Sequence, residues 1–198
     1  MPDTVRLFVA VELAEAGRQH IAHLLETLRS RSTHGLRWIK AEGVHLTLKF
    51  LGNVSEGRLD SIVPAMGRAT ENVAPFSLRI QDVGAFPNMG SPRVLWAGIQ
   101  GEVEPLLQLQ ARLDETLADQ GFLPETRPFS PHLTLARVRG RLSFRERQQL
   151  TEAMESARGM TGVDMPVHRL SLMESTLTPG GAVYTRRGQI SLRFTLAS

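Results

Sequence analysis

The sequence predicts an α+β fold with antiparallel or mixed sheets, and two observations support that prediction. Segments with strand-like alternation and segments with apolar residues at helical spacing follow each other along the 198 residues. Their order of strand, helix, strand, strand and helix occurs roughly twice, and adjacent strands without an intervening helix cannot all run parallel. We therefore expect two similar structural units rather than a doubly wound parallel sheet.

In the first half of the chain, each element is predicted from the spacing of its apolar residues or from a capping residue at its start. The first predicted helix carries Ile21, Leu24, Leu25 and Leu28 on one stripe. Ser55 is expected to cap the second helix, because serine side chains accept hydrogen bonds from the first turn. The predicted order is strand 6–13, helix 15–28, strands 36–39 and 44–51, and a helix from Ser55 to about residue 70.

The same order restarts near residue 76. A loop rich in proline and glycine, FPNMGSPR, separates two predicted strands, and Ser143 is expected to cap the last helix. The predicted elements are strands 76–83 and 93–99, helix 103–119, strand 133–138, helix 143–157, and strands 167–173, 182–185 and 189–195. No linker is apparent, so we expect one domain over residues 1–198.

Composition and missing motifs exclude several classes of protein. The chain has no cysteine, which excludes disulfides, thiolate nucleophiles and zinc sites with sulfur ligands. The opening MPDTVRLFVAVEL lacks the features of a signal peptide, and no apolar run approaches the roughly 20 residues of a membrane span. We expect a cytoplasmic protein that does not bind membranes. Phosphate-loop, dinucleotide and nucleophile-elbow signatures are absent, which disfavours ATP chemistry and serine hydrolysis.

Positive charge is concentrated in the C-terminal part of the chain. Residues 1–126 have a net charge of −3 and residues 127–198 a net charge of +6. Six arginines and the single acid Glu146 lie between Arg127 and Arg147. A bound polyanion would explain this cluster, and the alternative is a solvated face in a chain that prefers arginine to lysine.

The tetrapeptide His-Leu-Thr-Leu occurs at 45–48 and again at 132–135, inside two predicted strands. Because side chains alternate along a strand, each His and Thr share one face and the two Leu residues share the other. An imidazole can act as acid or base near neutral pH, and a threonine hydroxyl can donate to a phosphoryl oxygen. The pair therefore favours an acid/base site in a cleft between the two units. The alternative is two half-exposed histidines beside strand-forming threonines.

Other candidates are weaker. His20 and His23 are three residues apart on the first helix, but no third metal ligand is apparent. We therefore predict surface histidines and no metal site. Trp38 and Trp96 are predicted to lie in the core.

The doubled motif and its flanks resemble a known family. WIKAEGVHLTLKFLG from Trp38 and RPFSPHLTLAR from Arg127 are similar to segments of the 2H phosphoesterases, in particular the RNA 2′,3′-cyclic phosphodiesterases, or 2′-5′ RNA ligases, of the LigT/ThpR group. The stretches RLFVAVEL, FPNMGSPRVLW and LMESTLTPGGAVY add to the resemblance, which spans nearly the whole chain.

The resemblance implies a bilobal α+β fold in which two pseudo-symmetric lobes, with helices outside, face a central groove. It also implies metal-independent hydrolysis of an RNA-terminal 2′,3′-cyclic phosphate to a 2′-phosphomonoester, with 2′-5′ ligation as the reverse reaction. No cofactor is expected. The expected partner is RNA or a nucleotide that bears the cyclic phosphate, and the expected oligomeric state is a monomer.

Residue roles follow from the resemblance and from in-line chemistry, which needs a base and an acid on opposite sides of phosphorus. By analogy His132 is the base that activates water and His45 the acid that protonates the 3′ oxygen, although the sequence permits the reverse. Thr47 and Thr134 are expected to hold the non-bridging oxygens.

Three further positions have roles implied by the resemblance. Five residues after each histidine, Phe50 corresponds to a base-stacking aromatic residue and Arg137 to a phosphate-binding arginine. Strand parity places both on the face opposite the histidines, so they reach the groove only if the strands bulge or end before them. The alternative for Phe50 is a core position. Tyr184 is a possible groove residue.

Two alternatives to the RNA-processing enzyme stay open. One is a cyclic phosphodiesterase that acts on a small nucleotide, and the other is a non-catalytic protein that binds RNA ends. Both His/Thr pairs are present, which favours an enzyme.

Overall fold

The computed structural model describes residues 4–31, 35–160, 162–179 and 181–193. These residues form nine strands and four α-helices. The strands are β1 (Thr4–Glu12), β2 (Leu36–Trp38), β3 (His45–Ser55), β4 (Phe76–Phe86), β5 (Val94–Gly101), β6 (His132–Val138), β7 (Val163–Val167), β8 (Arg169–Thr178) and β9 (Gly181–Ser191). The helices are α1 (Glu15–Arg31), α2 (Leu59–Thr70), α3 (Val103–Ala118) and α4 (Phe144–Arg158). None of the described helices is long and apolar enough to cross a membrane.

All nine described strands belong to one sheet, in the order β7-β4-β5-β6-β3-β1-β8-β9, with β2 paired to β6. Each pairing between these strands is antiparallel. The two strands that carry the repeated tetrapeptide, β3 and β6, are neighbours at the centre of this order. The predicted α+β class is confirmed, and the two halves meet in one continuous sheet.

The helices cover the two halves of the sheet in pairs. Helices α1 and α4 contact each other, with α1 also against β7 and α4 against β4. Helices α2 and α3 form the second pair, with α2 against β9 and α3 against β3. One large apolar cluster lies between the sheet and these helices and includes the predicted stripe of α1. The helices therefore leave the other face of β3 and β6 free for a site.

Several predicted boundaries were wrong for identifiable reasons. Ser55 makes no side-chain cap, because it still pairs with Thr4 as the last residue of β3. A short 3-10 turn over Glu56–Arg58 follows, and α2 begins at Leu59. By contrast, Ser143 does cap α4, in a reciprocal capping box with Glu146.

The C-terminal strands also differ from the prediction. Strand β7 was not predicted, because it is short and contains Pro166, although Val163, Met165 and Val167 alternate along it. The predicted strand 167–173 begins at the last residue of β7 and continues into β8. Two predicted strands, 182–185 and 189–195, are one strand, β9. Residues 194–195 of that prediction lie outside the described part of the chain.

Candidate active site

The two His-Leu-Thr-Leu segments have the facing that strand periodicity predicts. All four leucines of the motifs are buried in the main core: Leu46, Leu48, Leu133 and Leu135. The histidines and threonines lie on the opposite face and are partly exposed. The sheet therefore uses one face of each motif for stability and presents the other as a candidate site.

Strand pairing brings the two motifs together. Leu46 of β3 pairs with Leu133 of β6, and the strands are antiparallel. Continuing this register by one residue in each direction sets His45 opposite Thr134 and Thr47 opposite His132. Residues in such positions have Cα atoms about 4.5–5.5 Å apart and side chains on the same face. Each histidine therefore has the threonine of the other motif as its cross-strand neighbour.

The two imidazoles are oriented in the same way. Nδ1–H of His45 donates to the carbonyl oxygen of Gly43 at 2.9 Å, and Nδ1–H of His132 donates to that of Ser130 at 2.7 Å. In both cases the acceptor lies two residues before the histidine. A hydrogen bond from Nδ1 fixes the tautomer and leaves Nε2 available to accept or donate a proton. Both rings are thus prepared for acid/base chemistry at Nε2.

Aromatic rings enclose His45. Phe8 of β1 stacks on the imidazole with ring centroids 4.6 Å apart, and Tyr184 of β9 meets it edge-on at 4.9 Å. Phe8 and Tyr184 also contact each other and form a small apolar cluster with Ala10 and Met173. Tyr184 was predicted as a possible groove residue, and the structure brings it against His45. Phe8 was not predicted as a site residue, although strand periodicity places it on the same face of β1 as Glu12.

The enclosed position of His45 changes its acid/base behaviour. Burial lowers the pKa of His45 to about 4, and the hydrogen bond to Gly43 and the charge of Glu12 offset only part of that effect. Glu12 is the partner of His45 in the β1–β3 register. Its carboxylate accepts two hydrogen bonds from Arg186, each 2.8 Å long, and one from the Ser171 hydroxyl. Arg186 is the main reason that the pKa of Glu12 is lowered.

The surroundings of His132 are built differently. Phe86 of β4 meets the imidazole edge-on at 4.9 Å, and Trp96 of β5 lies 5.3 Å from Phe86. Trp96 pairs with Thr134, so its side chain lies on the face of the histidines rather than in the core as predicted. Gly84 makes this possible, because any side chain there would overlap the Trp96 ring. Neither Phe86 nor Trp96 was predicted as a site residue.

A β-bulge occurs at the same position of each motif, three residues after the histidine. In β3, Val9 pairs with Lys49 and Ala10 with Thr47, so Leu48 is the extra residue. In β6, Leu95 pairs with Ala136 and Trp96 with Thr134, so Leu135 is the extra residue. One extra residue reverses the facing of the side chains that follow it, up to the next bulge, which in β3 lies at Leu51. Phe50 and Arg137 were expected to reach the groove if a bulge preceded them, and such a bulge is present in both strands.

The bulges return residues 50 and 137 to the face of the histidines. The Phe50 side chain is 58% exposed and lies 6.1 Å from the Phe8 ring, so the alternative of a core position is wrong. Arg137 is exposed and pairs with Arg37 of β2, a second exposed arginine at this place in the sheet. Lys49 turns into the core instead, where it forms an ion pair with Asp114 and donates to the Leu123 carbonyl.

The weaker candidates from the sequence do not join this site. His20 and His23 lie on α1, and burial lowers the pKa of the partly buried His20. Within the described residues, no group of three or more histidine, aspartate or glutamate side chains is placed to hold a metal ion.

Comparison with known proteins agrees with this geometry. The model of the LigT-like phosphoesterases matches residues 11–96 and 98–184, so each copy of the motif lies in one matched segment. The chain belongs to the LigT-like phosphoesterase family. It is 37% identical over 181 residues to an RNA 2′,3′-cyclic phosphodiesterase of Methanothermobacter thermautotrophicus, covering 91% of this chain and 95% of the relative. It is 34% identical over 196 residues to one of Thermus thermophilus, covering 96% of this chain and 91% of the relative.

Solved LigT-like structures have the same fold. A protein of Thermus thermophilus superimposes with a TM-score of 0.75 at 30% identity, over 95% of this chain and 98% of the other. LigT of E. coli in complex with 3′-AMP gives a TM-score of 0.72 at 26% identity, over 96% and 99%. The family and fold predicted from the doubled motif are thus confirmed.

Proposed function

We propose that this protein hydrolyses the terminal 2′,3′-cyclic phosphate of RNA to a 2′-phosphomonoester, with two histidines as acid and base and without a metal ion. The observation that carries the proposal is the junction of β3 and β6, where His45, Thr47, His132 and Thr134 share one face of paired strands. The names of the relatives support the choice of reaction, since they are RNA 2′,3′-cyclic phosphodiesterases. We further propose that residues 1–198 act as one bilobal unit, because each half contributes one motif.

In the proposed reaction, Nε2 of His132 takes a proton from water while the water oxygen bonds to phosphorus. The bond between phosphorus and the 3′ oxygen breaks, and Nε2 of His45 gives its proton to that oxygen. The 2′ oxygen keeps the phosphate. Thr47 and Thr134 donate hydrogen bonds to the non-bridging oxygens, and the guanidinium of Arg137 offsets the charge that develops there. The two histidines come from different strands, β3 and β6, and so approach the phosphate from the two sides that in-line displacement needs.

The acid role of His45 requires that substrate binding change its protonation. In the ligand-free protein the pKa of His45 is about 4, so the ring is neutral at pH 7. An anionic phosphate within about 4–6 Å favours the charged imidazolium and raises its pKa. His45 therefore receives its proton as the substrate enters, and the buried ring returns to the neutral form when it gives that proton away.

The 2′-5′ ligation that the resemblance implies would follow the same in-line step, with a 5′-hydroxyl in place of water. His132 would take the hydroxyl proton as that oxygen bonds to phosphorus, and His45 would give its proton to the departing 3′ oxygen. A small cyclic nucleotide is the second candidate substrate. LigT of E. coli has been crystallised with 3′-AMP, NADP+ and ATP, which favours a groove in this family that accepts single nucleotides.

The decisive experiment is turnover of a short RNA that ends in a 2′,3′-cyclic phosphate, measured with and without a chelator. We expect equal rates in both conditions and a 2′-phosphate in the product, assigned by phosphorus NMR. A 3′-phosphate product would contradict the proposed leaving group. Loss of activity with the chelator and recovery on adding zinc or manganese would contradict the metal-independent mechanism. Binding of the RNA without turnover would favour the non-catalytic alternative.

A further inference from the structure

The strongest feature outside the catalytic face is an exposed aromatic side chain at the start of α4. Phe144 is 76% exposed, although it is the first residue of a helix that is otherwise well anchored by the Ser143–Glu146 capping box. Phe144 borders a shallow surface pocket of about 560 Å³. The pocket is lined by Met89, Gly90, Phe144, Arg147, Gln148 and Thr151. Its wall is thus partly apolar and partly basic.

One loop connects this pocket with the catalytic face. The loop between β4 and β5 begins after Phe86, whose ring contacts His132, and ends at Val94, which pairs with Arg137. Met89 and Gly90 of the same loop line the pocket. Backbone hydrogen bonds from Arg93 to Phe86 and from Val138 to Arg93 fix the base of the loop to the end of β6. The loop therefore links His132 at one end of β6 with Phe144 beyond the other end.

The charge around the pocket fits a polyanion. Arg139, Arg141 and Arg145 are exposed, and none of them forms an ion pair with another residue in the part of the chain that the structure describes. With Arg137 they extend the basic surface from β6 to the start of α4. Aromatic residues interleaved with arginines are typical of surfaces that bind single-stranded nucleic acids, because bases stack on the rings while phosphates meet the guanidinium groups.

We propose that this surface, formed by Phe144, Arg145, Arg147 and the 89–90 loop tip, binds the single-stranded RNA that lies 5′ of the cyclic-phosphate end. This inference rests on the proposed function, since the terminal nucleotide must sit between the two histidines. The six steps from His132 to Val138 span about 20 Å at the usual rise of a strand, which is enough for a few nucleotides. Phe144 stacks on a base upstream of the terminal nucleotide, and the arginines meet the connecting phosphates.

The test compares a 2′,3′-cyclic mononucleotide with a hexanucleotide that ends in the same cyclic phosphate. For the unaltered protein we expect a lower KM for the hexanucleotide. Phe144→Ala should raise the KM of the hexanucleotide by roughly 5- to 20-fold, as expected for a lost stacking contact, and leave the KM of the mononucleotide unchanged. Phe144→Tyr should behave like the unaltered protein. Leu123→Ala is the matched control, because Leu123 is 88% exposed elsewhere on the surface.

Salt dependence tests the arginines. Arg145→Gln should reduce the slope of log Kd for the hexanucleotide against log salt by about 0.7, the value for one phosphate contact of a single strand. Arg158→Gln lies at the opposite end of α4 and should leave the slope unchanged. Kd is measured by fluorescence anisotropy with the 2′-phosphorylated hexanucleotide, so the salt-dependence experiment does not require turnover.

Three results would overturn the proposal. The first is an equal KM for the mononucleotide and the hexanucleotide in the unaltered protein. The second is a Phe144→Ala variant whose KM changes equally for both substrates. The third is a Phe144→Ala variant that dissociates a dimer in sedimentation experiments while its RNA binding is unchanged, which would make this surface a contact between two copies. Absence of all turnover, with normal length-dependent binding, would contradict the proposed function and leave the RNA surface supported.

Discussion

The two copies of the His-Leu-Thr-Leu motif have the same backbone but different surroundings. In both copies the histidine donates from Nδ1 to a carbonyl two residues earlier, and a bulge follows three residues later. His45 is enclosed by Phe8 and Tyr184, with the ion pair of Glu12 and Arg186 nearby. His132 contacts Phe86 alone among the aromatic rings of the described residues and is followed by the exposed Arg137.

The difference between the copies shows that the same backbone can present two different side chains to one site face. The bulge presents the residue five positions after each histidine, which is apolar in the first copy and cationic in the second. Under the proposed function, Phe50 of the first half would stack on the nucleoside base beside an imidazole that is neutral without ligand. Arg137 of the second half would bind the phosphate, and the RNA chain would continue beyond it.

The largest expected effect is the loss of either histidine. His45→Ala and His132→Ala should each lower turnover of a cyclic-phosphate RNA by roughly 10² to 10⁴-fold, the usual contribution of one general acid or base. Circular dichroism should show an unchanged fold, because both side chains lie on the site face. His168→Ala, which removes an exposed histidine outside the site, is the control. Normal turnover of both site variants would refute the two-histidine mechanism.

A substrate with a good leaving group sharpens this comparison. An aryl phosphodiester needs no acid to protonate its leaving oxygen, so it should restore activity to the variant that lacks the acid and not to the variant that lacks the base. We expect rescue of His45→Ala. Rescue of His132→Ala instead would show that the two roles are exchanged.

The next largest effects are expected from substitution of Arg137 and Phe50, the two residues that follow the bulges on the face of the histidines. Arg137→Gln should lower kcat/KM by roughly 10- to 100-fold for every phosphodiester, because a charged hydrogen bond to phosphate is lost. Phe50→Ala should raise KM only about 5- to 20-fold, and only for substrates with a base to stack. A cyclic phosphate of ribose without a base, compared with a cyclic mononucleotide, provides the measurement. Equal sensitivity of both substrates to Phe50→Ala would exclude a stacking role.

The pH dependence of the His132→Ala variant reports on His45 alone. If His45 is the acid, it must be protonated, and with a free-enzyme pKa of about 4 the residual kcat/KM should fall by about tenfold per pH unit from pH 5 to 8. If His45 is the base, it is already neutral above pH 5, and kcat/KM should be constant over that range. NMR titration of His45 with the 2′-phosphate product bound is the independent check, with a raised pKa expected.

The smallest effect is on stability. The pKa of His45 is about 4 in the folded protein, below the ordinary value of 6.5, so the unfolded chain binds more protons between these values. Stability should therefore be complete above pH 6.5 and should fall as the pH decreases toward 4. The loss from His45 is on the order of 3 kcal/mol, from a pKa difference of about 2.5 units. Urea unfolding of His45→Gln should show a smaller decline over the same range, and an identical decline would contradict the buried neutral imidazole.

Much of this site could be predicted from local sequence. Alternation within His-Leu-Thr-Leu predicts that the leucines are buried and that the histidines lie on the opposite face, and both are observed. The capping box of α4 is likewise local, since Ser143 and Glu146 satisfy each other within one turn. Ser55 failed as a cap because its pairing with Thr4, distant in sequence, keeps it in an extended strand.

Local sequence patterns predicted the four helices, most of the strands and the facing of each motif, because these depend on residues a few positions apart. The pattern of the whole chain indicated the family. Local patterns did not predict that β3 and β6 are neighbours, that Leu48 and Leu135 bulge, or that Phe8 and Tyr184 enclose His45. A bulge is defined by the strand that pairs with it, and a pKa by the groups that surround it. Both depend on contacts between residues far apart in the chain, which local patterns do not encode.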